Sequence, residues 1–165
     1  MPGESRPNGR KTYSERTRLL DAVNVRLLAE LHGDPRLSMS ELARRVGMSA
    51  PAVTERVQRL ERLGVITGYR MDVDPAALGM PVTALVRVAP GPGQLPNVAR
   101  AAADTPQVVE CHRITGEDCF HLKLHAPSIE DMEEILDRFQ LFGRTTTSLV
   151  VSTPVPLRPL PLPTA

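Results

Sequence analysis

Tryptophan is absent from the 165 residues, aromatic side chains make up only 3%, and cysteine occurs twice. There is thus no tryptophan anchor, and Cys111 and Cys119, which form no C-x-x-C pair, exclude a disulfide framework, so reduced thiols are the default. No stretch approaches the ~18 uninterrupted apolar residues of a membrane span, and the first twenty residues carry no apolar core of signal-peptide length. A cytoplasmic location is the expectation. What is present is a globular composition, 41% apolar and 24% charged, which excludes disorder throughout, collagen-like repetition and a stapled miniprotein. A chain of roughly 150 residues hides about two thirds of its extended surface, enough for one or two domains.

The formal net charge of +1 conceals a division. Residues 1–70 hold 13 Lys and Arg against 8 Asp and Glu, whereas residues 71–165 hold 7 against 11. A basic front and an acidic back point to two modules with different partners.

Residues 1–18, rich in Pro, Gly, Ser and Arg, read as a disordered basic arm, in which Arg16 and Arg18 are available to phosphate. Asp21 is a plausible N-cap of a first helix, with Leu20 and Val25 spaced as a hydrophobic staple. Val25, Leu27, Leu28 and Leu31 keep one side apolar until His32-Gly33. Ser38-Met39-Ser40-Glu41 has capping-box spacing for a short second helix buried through Leu42, Ala43 and Val46 and stopped by Gly47. Ser49 caps again, Pro51 fits a first turn, and Val53, Val57, Leu60 and Gly64 share one face of a third helix.

Three such helices, the last two joined by Gly47-Met48-Ser49, predict a helix-turn-helix. The wheel then turns Thr54, Glu55, Gln58, Arg59 and Arg62 outward, side chains suited to base edges and phosphates in a major groove. Ser49 and Ala50 open this candidate recognition helix, and Arg44 and Arg45 add positive charge beside it. Val65 to Met71 has strand chemistry and predicts a wing, with Arg70 placed to touch the DNA backbone. The domain is read as 19–74.

Residues 75–80 form a linker, and a second domain is read over 81–153. Strands are predicted over Pro81–Ala89, Val108–Thr115, Cys119–Ala126 and Thr146–Thr153, with helices over Gln94–Thr105 and from Ser128 onward. This order, βαββαβ, is the ferredoxin-like pattern: an antiparallel sheet with both helices on one face. Its uncovered face, with Leu149 and Val151 or Val150 on the last strand, is expected to expose an apolar patch that a second copy covers, giving a homodimer. The hairpin turn at Gly116-Glu117 sets His112 opposite His121 and Glu110 opposite Lys123. Two histidines and a thiol are too few for a structural zinc site, so no metal is expected. The tail 154–165, with five prolines from Pro154 to Pro163, is expected to trail away in extended form. The fold class is therefore α+β.

Over residues 19–153 the chain resembles the Lrp/AsnC family of feast/famine transcriptional regulators. The matching strings are Leu20-Asp21, the helix-turn-helix Ser38 to Gly64, Val65-Ile66-Thr67-Gly68-Tyr69, Asp74-Pro75 to Leu78-Gly79, Cys111-His112, Thr115-Gly116, and Gly143 before the last strand. The resemblance implies a winged helix that binds double-stranded DNA, and a ferredoxin-like domain that dimerises, assembles further to tetramer or octamer and takes an amino acid or related effector. It also implies an effector pocket between dimers, comprising here Thr115, Gly116, Glu117, Asp118 and Cys119 with Thr145, Thr146 and Thr147. Within the pocket two residues depart from the family pattern: Cys119 stands where an acid is usual and Arg144 where an apolar residue is. Asn24 likewise replaces a common acid.

The function expected is sequence-specific transcriptional regulation. An architectural protein that wraps DNA with little sequence preference is the alternative. Paired carboxylates, a Ser/His/Asp set, a phosphate loop and metal spacing are all missing from the sequence, so neither an enzyme nor a cofactor is expected.

Overall fold

The structure is a computed structural model that describes residues 19–163. The arm predicted over residues 1–18 therefore lies outside the described residues. The described residues fall into two compact units, 19–71 with 157–163, and Asp72–Pro156.

In the first unit, α1 (Ala22–Gly33), α2 (Met39–Val46) and α3 (Ala50–Arg62) follow the expected order. Asp21 caps α1 by accepting from the Asn24 amide, and Ser38 caps α2 by accepting from the Glu41 amide. Gly47 closes α2 at φ 71°, a left-handed conformation that glycine adopts without the Cβ clash other residues incur. Leu27, Leu31, Leu42, Ala43, Val46, Val53 and Val57 meet in one core.

Four expectations are corrected here. Glu41 does not complete the capping box: Arg44 and Arg45 both donate to its carboxylate. Ser49 sits at the cap of α3 but its hydroxyl makes no cap hydrogen bond, because Pro51 in the first turn lacks one of the two amides a cap oxygen reaches. The wing is not a strand. Val65 and Ile66 instead donate back to the Leu60 carbonyl, and among the described residues no segment pairs with Thr67–Met71 to form a ladder. The tail forms no helix or strand over its described residues but does not trail away, since Pro159 and Leu160 join Leu28, Leu31 and the Val65–Arg70 segment around a groove of about 320 Å³.

The second unit is a four-stranded antiparallel sheet in the order β2-β3-β1-β4, built from β1 (Val82–Pro90), β2 (Val108–Arg113), β3 (Phe120–Ala126) and β4 (Gly143–Leu149). Helices α4 (Leu95–Ala103) and α5 (Ile129–Gln140) cover one face, so the βαββαβ order holds. Ala84, Val86 and Val88 of β1 and Phe120, Leu122, Leu124 and Ala126 of β3 alternate into the core against Val98, Met132, Ile135, Leu136 and Phe139. The pairs His112 with His121 and Glu110 with Lys123 are cross-strand neighbours as expected, although β2 carries a bulge between Val108 and Glu110.

Two features of the sheet differ from expectation. β4 begins at Gly143 and ends at Leu149, so it lies earlier in the chain than the Thr146–Thr153 predicted. The uncovered face is mostly polar. Pairing sets Arg87 between His121 and Thr146, and Leu85 between Lys123 and Ser148. Leu149 pairs with Ala84, which points to the helix-covered face, so it does not complete an apolar stripe on the open one.

Candidate nucleic-acid interface and effector site

In α3 the buried stripe is Val53, Val57 and Leu60. Glu55, Gln58, Arg59 and Arg62 are exposed, as the wheel requires. The remaining interface candidates are less uniform. Ala50 packs its side chain on the core, which leaves its amide at the helix start as the polar group it offers. Thr54 is half-buried and donates to the Ala50 carbonyl at 2.9 Å. Ser49 and Arg70 are exposed. Arg44 is exposed too, but its guanidinium grips Glu41 through two nitrogens at 3.0 and 2.6 Å, so part of its charge is already matched.

A residue that sequence reasoning missed stands on the flank of α3. Arg56 donates to Asp21 at 2.8 Å and to Asn24 at 3.0 Å, and Asn24 is one of two buried polar residues among the described residues. Asn24 also donates to the Leu19 carbonyl at 2.6 Å, which satisfies both ends of its amide. Nothing in the local spacing reveals this link, whose partners are 35 residues apart.

The arginines depress two carboxylates. Hydrogen bonds from Arg44 and Arg45 pull Glu41 down to about 2, and the bond from Arg56, with the Asn24 amide second, holds Asp21 below its usual 3.8. The folded unit thus binds fewer protons than the unfolded chain as the pH falls. Its carboxylate-linked stability is complete above about pH 4.5 and declines as the pH falls toward about 2. Thermal melts from pH 7 to 2.5 are expected to show this fall in melting temperature. The decline is expected to be shallower in Glu41→Gln and in high salt, because both pairs are solvent-exposed.

In the sheet unit, the β2–β3 loop and the start of β4 leave the same end of the sheet, since Val88 pairs with both Phe120 and Thr145. Gly116 turns the loop at φ 111°. Cys119, standing where an acid is usual, donates weakly to the carbonyls of Gly116 and Glu117 at 3.8 Å and so closes the loop on itself. Both cysteines are free. Thr115, Gly116 and Glu117 are exposed and Asp118 is half-buried. The three threonines do not converge, because strand pleat sends Thr145 and Thr147 to one face and Thr146 to the other.

Thr146 shares its face with a second missed residue, Arg87, whose guanidinium lies 3.2 Å from the Asp118 carboxylate. Arg87 was legible only as the one cation inside an apolar strand. The pair places a cation and an anion side by side at the loop, with Arg87 half exposed. Among the described residues no three His, Cys, Asp or Glu side chains gather as a metal set, and no helix is long and apolar enough to cross a membrane.

A helix-turn-helix ahead of a βαββαβ domain defines a class, and comparison with known families agrees. A winged helix-turn-helix DNA-binding domain matches residues 20–67, and the Lrp/AsnC ligand-binding domain matches residues 83–160. The chain belongs to the Lrp/AsnC family of transcriptional regulators. Among its relatives is the HTH-type transcriptional regulator LrpC of Bacillus subtilis, 35% identical over 81% of this chain and 92% of the relative. The solved structure of that protein superposes with a TM-score of 0.77 at 34% identity, covering 81% of this chain and 96% of the other. The feast or famine regulatory protein of M. tuberculosis complexed with L-methionine gives a TM-score of 0.80 at 32% identity, covering 87% and 99%.

Proposed function

We propose that the chain is a sequence-specific transcriptional regulator that reads duplex DNA through α3 and answers to an amino acid or a close relative of one. One observation carries the DNA reading: the stripe Val53, Val57, Leu60 is buried while Glu55, Gln58 and Arg59 stand free on the opposite side. Glu55 and Gln58 favour base reading over simple wrapping, because an acid repels phosphate yet accepts from cytosine, and an amide pairs with adenine. Ser49, the Ala50 amide, Thr54, Arg44 and Arg70 complete the interface as backbone-positioning groups. A protein that acts on DNA in this way works in the cytoplasm, at the nucleoid, and the chain is not an enzyme.

We place the effector site at Thr115, Gly116, Glu117, Asp118, Cys119, Thr145, Thr146 and Thr147, with Thr146 beside Arg87 on the open face and Thr145 and Thr147 reached from the other side of β4. An α-amino acid carries both charges that the Arg87–Asp118 pair complements: its carboxylate suits the guanidinium and its ammonium the carboxylate. Backbone amides at Gly116 supply further donors. A homodimer that assembles further to tetramers or octamers lets an effector bound between dimers bias occupancy by preferring one assembly state.

A thermal-shift screen with the amino acids and their keto-acid counterparts tests the effector reading. A ligand of the folded state at a hundred times its Kd contributes about 2.7 kcal/mol and raises the melting temperature. Thr146→Ala, Asp118→Ala and Arg87→Ala are each expected to erase the response. A shift that survives all three places the site elsewhere. For the DNA reading, the ratio of specific to non-specific affinity decides: a small ratio with a steep salt slope supports the architectural alternative.

A further inference from the structure

The link between α1 and α3 does more than join two helices. Leu27, Leu31, Val53 and Val57 share one apolar core, which sets the face of α3 that is buried, but apolar burial is non-directional and leaves the finer rotation of the helix to contacts that have a direction. The polar ring is directional. A single Arg56 nitrogen donates to the Asp21 carboxylate at 2.8 Å and to the Asn24 side-chain oxygen at 3.0 Å. Asp21 uses its other oxygen to cap α1 at the Asn24 amide, 2.7 Å away. Asn24 is anchored in turn to the Leu19 carbonyl. Each member is held by another, and the ring ties the start of α1 to the middle of α3.

Arg56 lies beside Glu55 and one turn before Arg59. All three line a cavity of about 410 Å³ with Asp21 and Asn24. A turn of α3 about its own axis that moved Glu55 and Arg59 would break the Arg56 contacts. The cation is also already paired with a carboxylate, so part of its charge is matched.

Resting on the reading of α3 as the recognition helix, we propose that Arg56 is a positioning residue for DNA recognition: the Asp21–Asn24–Arg56 ring locks the rotation of α3 and so aims Glu55, Gln58 and Arg59. Charge-dependent phosphate binding and plain structural support make different predictions, and the full chain distinguishes all three. The measurements are Kd for a duplex selected by the wild-type chain, Kd for a scrambled duplex, the salt slope of each, and the melting temperature.

Arg56→Gln is expected to lower the specific-to-scrambled ratio about tenfold or more, the equivalent of one lost base contact, with the salt slope unchanged. Asp21→Asn keeps an oxygen able to cap α1 and removes the ion pair, so it reproduces the loss without unfolding the helix start. Arg56→Lys, with its charge retained, recovers part of the ratio. If Arg56→Gln weakens both duplexes equally and reduces the salt slope by about one, Arg56 is a phosphate contact and the proposal is overturned. If the melting temperature falls while the ratio measured well below it stays at the wild-type value, the ring is structural only and the proposal is likewise overturned. Should the wild-type chain itself show no preference for any selected duplex, the recognition-helix reading fails first, and that outcome is distinct from the other two.

Discussion

A chain carrying Gln58→Ala and Arg59→Ala together is expected to bind a duplex selected by the wild type about 100-fold more weakly at fixed salt, close to its affinity for scrambled DNA. Each well-made base contact contributes about 1–3 kcal/mol of discrimination, and 1.4 kcal/mol is tenfold in Kd, so two such contacts reach that loss. Both residues are exposed and neither caps α3 nor packs on its core, so circular dichroism and the thermal melt should not change. The two positions are separable. Arg59 carries charge, and Arg59→Ala reduces the salt slope by about one if its guanidinium also meets phosphate; Gln58→Ala leaves the slope alone and relaxes preference at one base pair. A gel-shift titration at two salt concentrations reads both quantities. Operator affinity retained in the double variant would remove α3 from the interface.

The contrast between what could and could not be read from the sequence follows from the range of the interactions involved. Caps and stripes are local. Asp21, Ser38 and Ser128 each sit three residues before the amide they accept from, and Val53, Val57 and Leu60 repeat at helical spacing, so α1 to α3 and α5 are legible. The alternation of Phe120, Leu122 and Leu124 identifies β3 for the same reason. Features that depend on distant partners are not legible. The segment after Val65 has strand composition but finds no ladder, because pairing is decided by what lies beside it. The start of β4 is missed since Gly143-Arg144-Thr145 reads as a loop, while its pairing with Val88, Ala89 and Pro90 makes it a strand. Arg56 reads as an ordinary helix arginine and Arg87 as the one cation of an apolar strand, and both acquire meaning only from Asp21, Asn24 and Asp118. The exposed side of α3 is therefore legible in the spacing, and the loop chemistry of the sheet unit only in outline.

Gly143 supplies the largest expected change in stability. A Cβ at this position would press into the Ala89 carbonyl oxygen and lie 2.7 Å from the Pro90 Cα and 2.9 Å from the Ala89 carbonyl carbon. Every one of these neighbours is backbone, so no side chain can swing away. Register pairs Gly143 with Pro90, and the Gly91 amide donates to the Phe142 carbonyl at 2.9 Å beside it, which fixes the approach from the other side. Glycine is needed here for closeness rather than for a special backbone angle. Gly143→Ala is expected to destabilise the sheet unit by about 3 kcal/mol or more, since overpacking of this kind forces the backbone itself to move. In a unit of this size that corresponds to a fall of about 15 °C in its melting transition. Gly116→Ala is the informative comparison. A Cβ there meets nothing within 4 Å, and only the φ of 111° opposes it, a cost nearer 1–3 kcal/mol. Urea titration of both variants is expected to rank Gly143→Ala as clearly the more damaging, although Gly116 is the glycine that the hairpin advertises. Equal midpoints would mean that β4 does not enter the sheet against Pro90, and with it the placement of Thr146 beside Arg87 would fail.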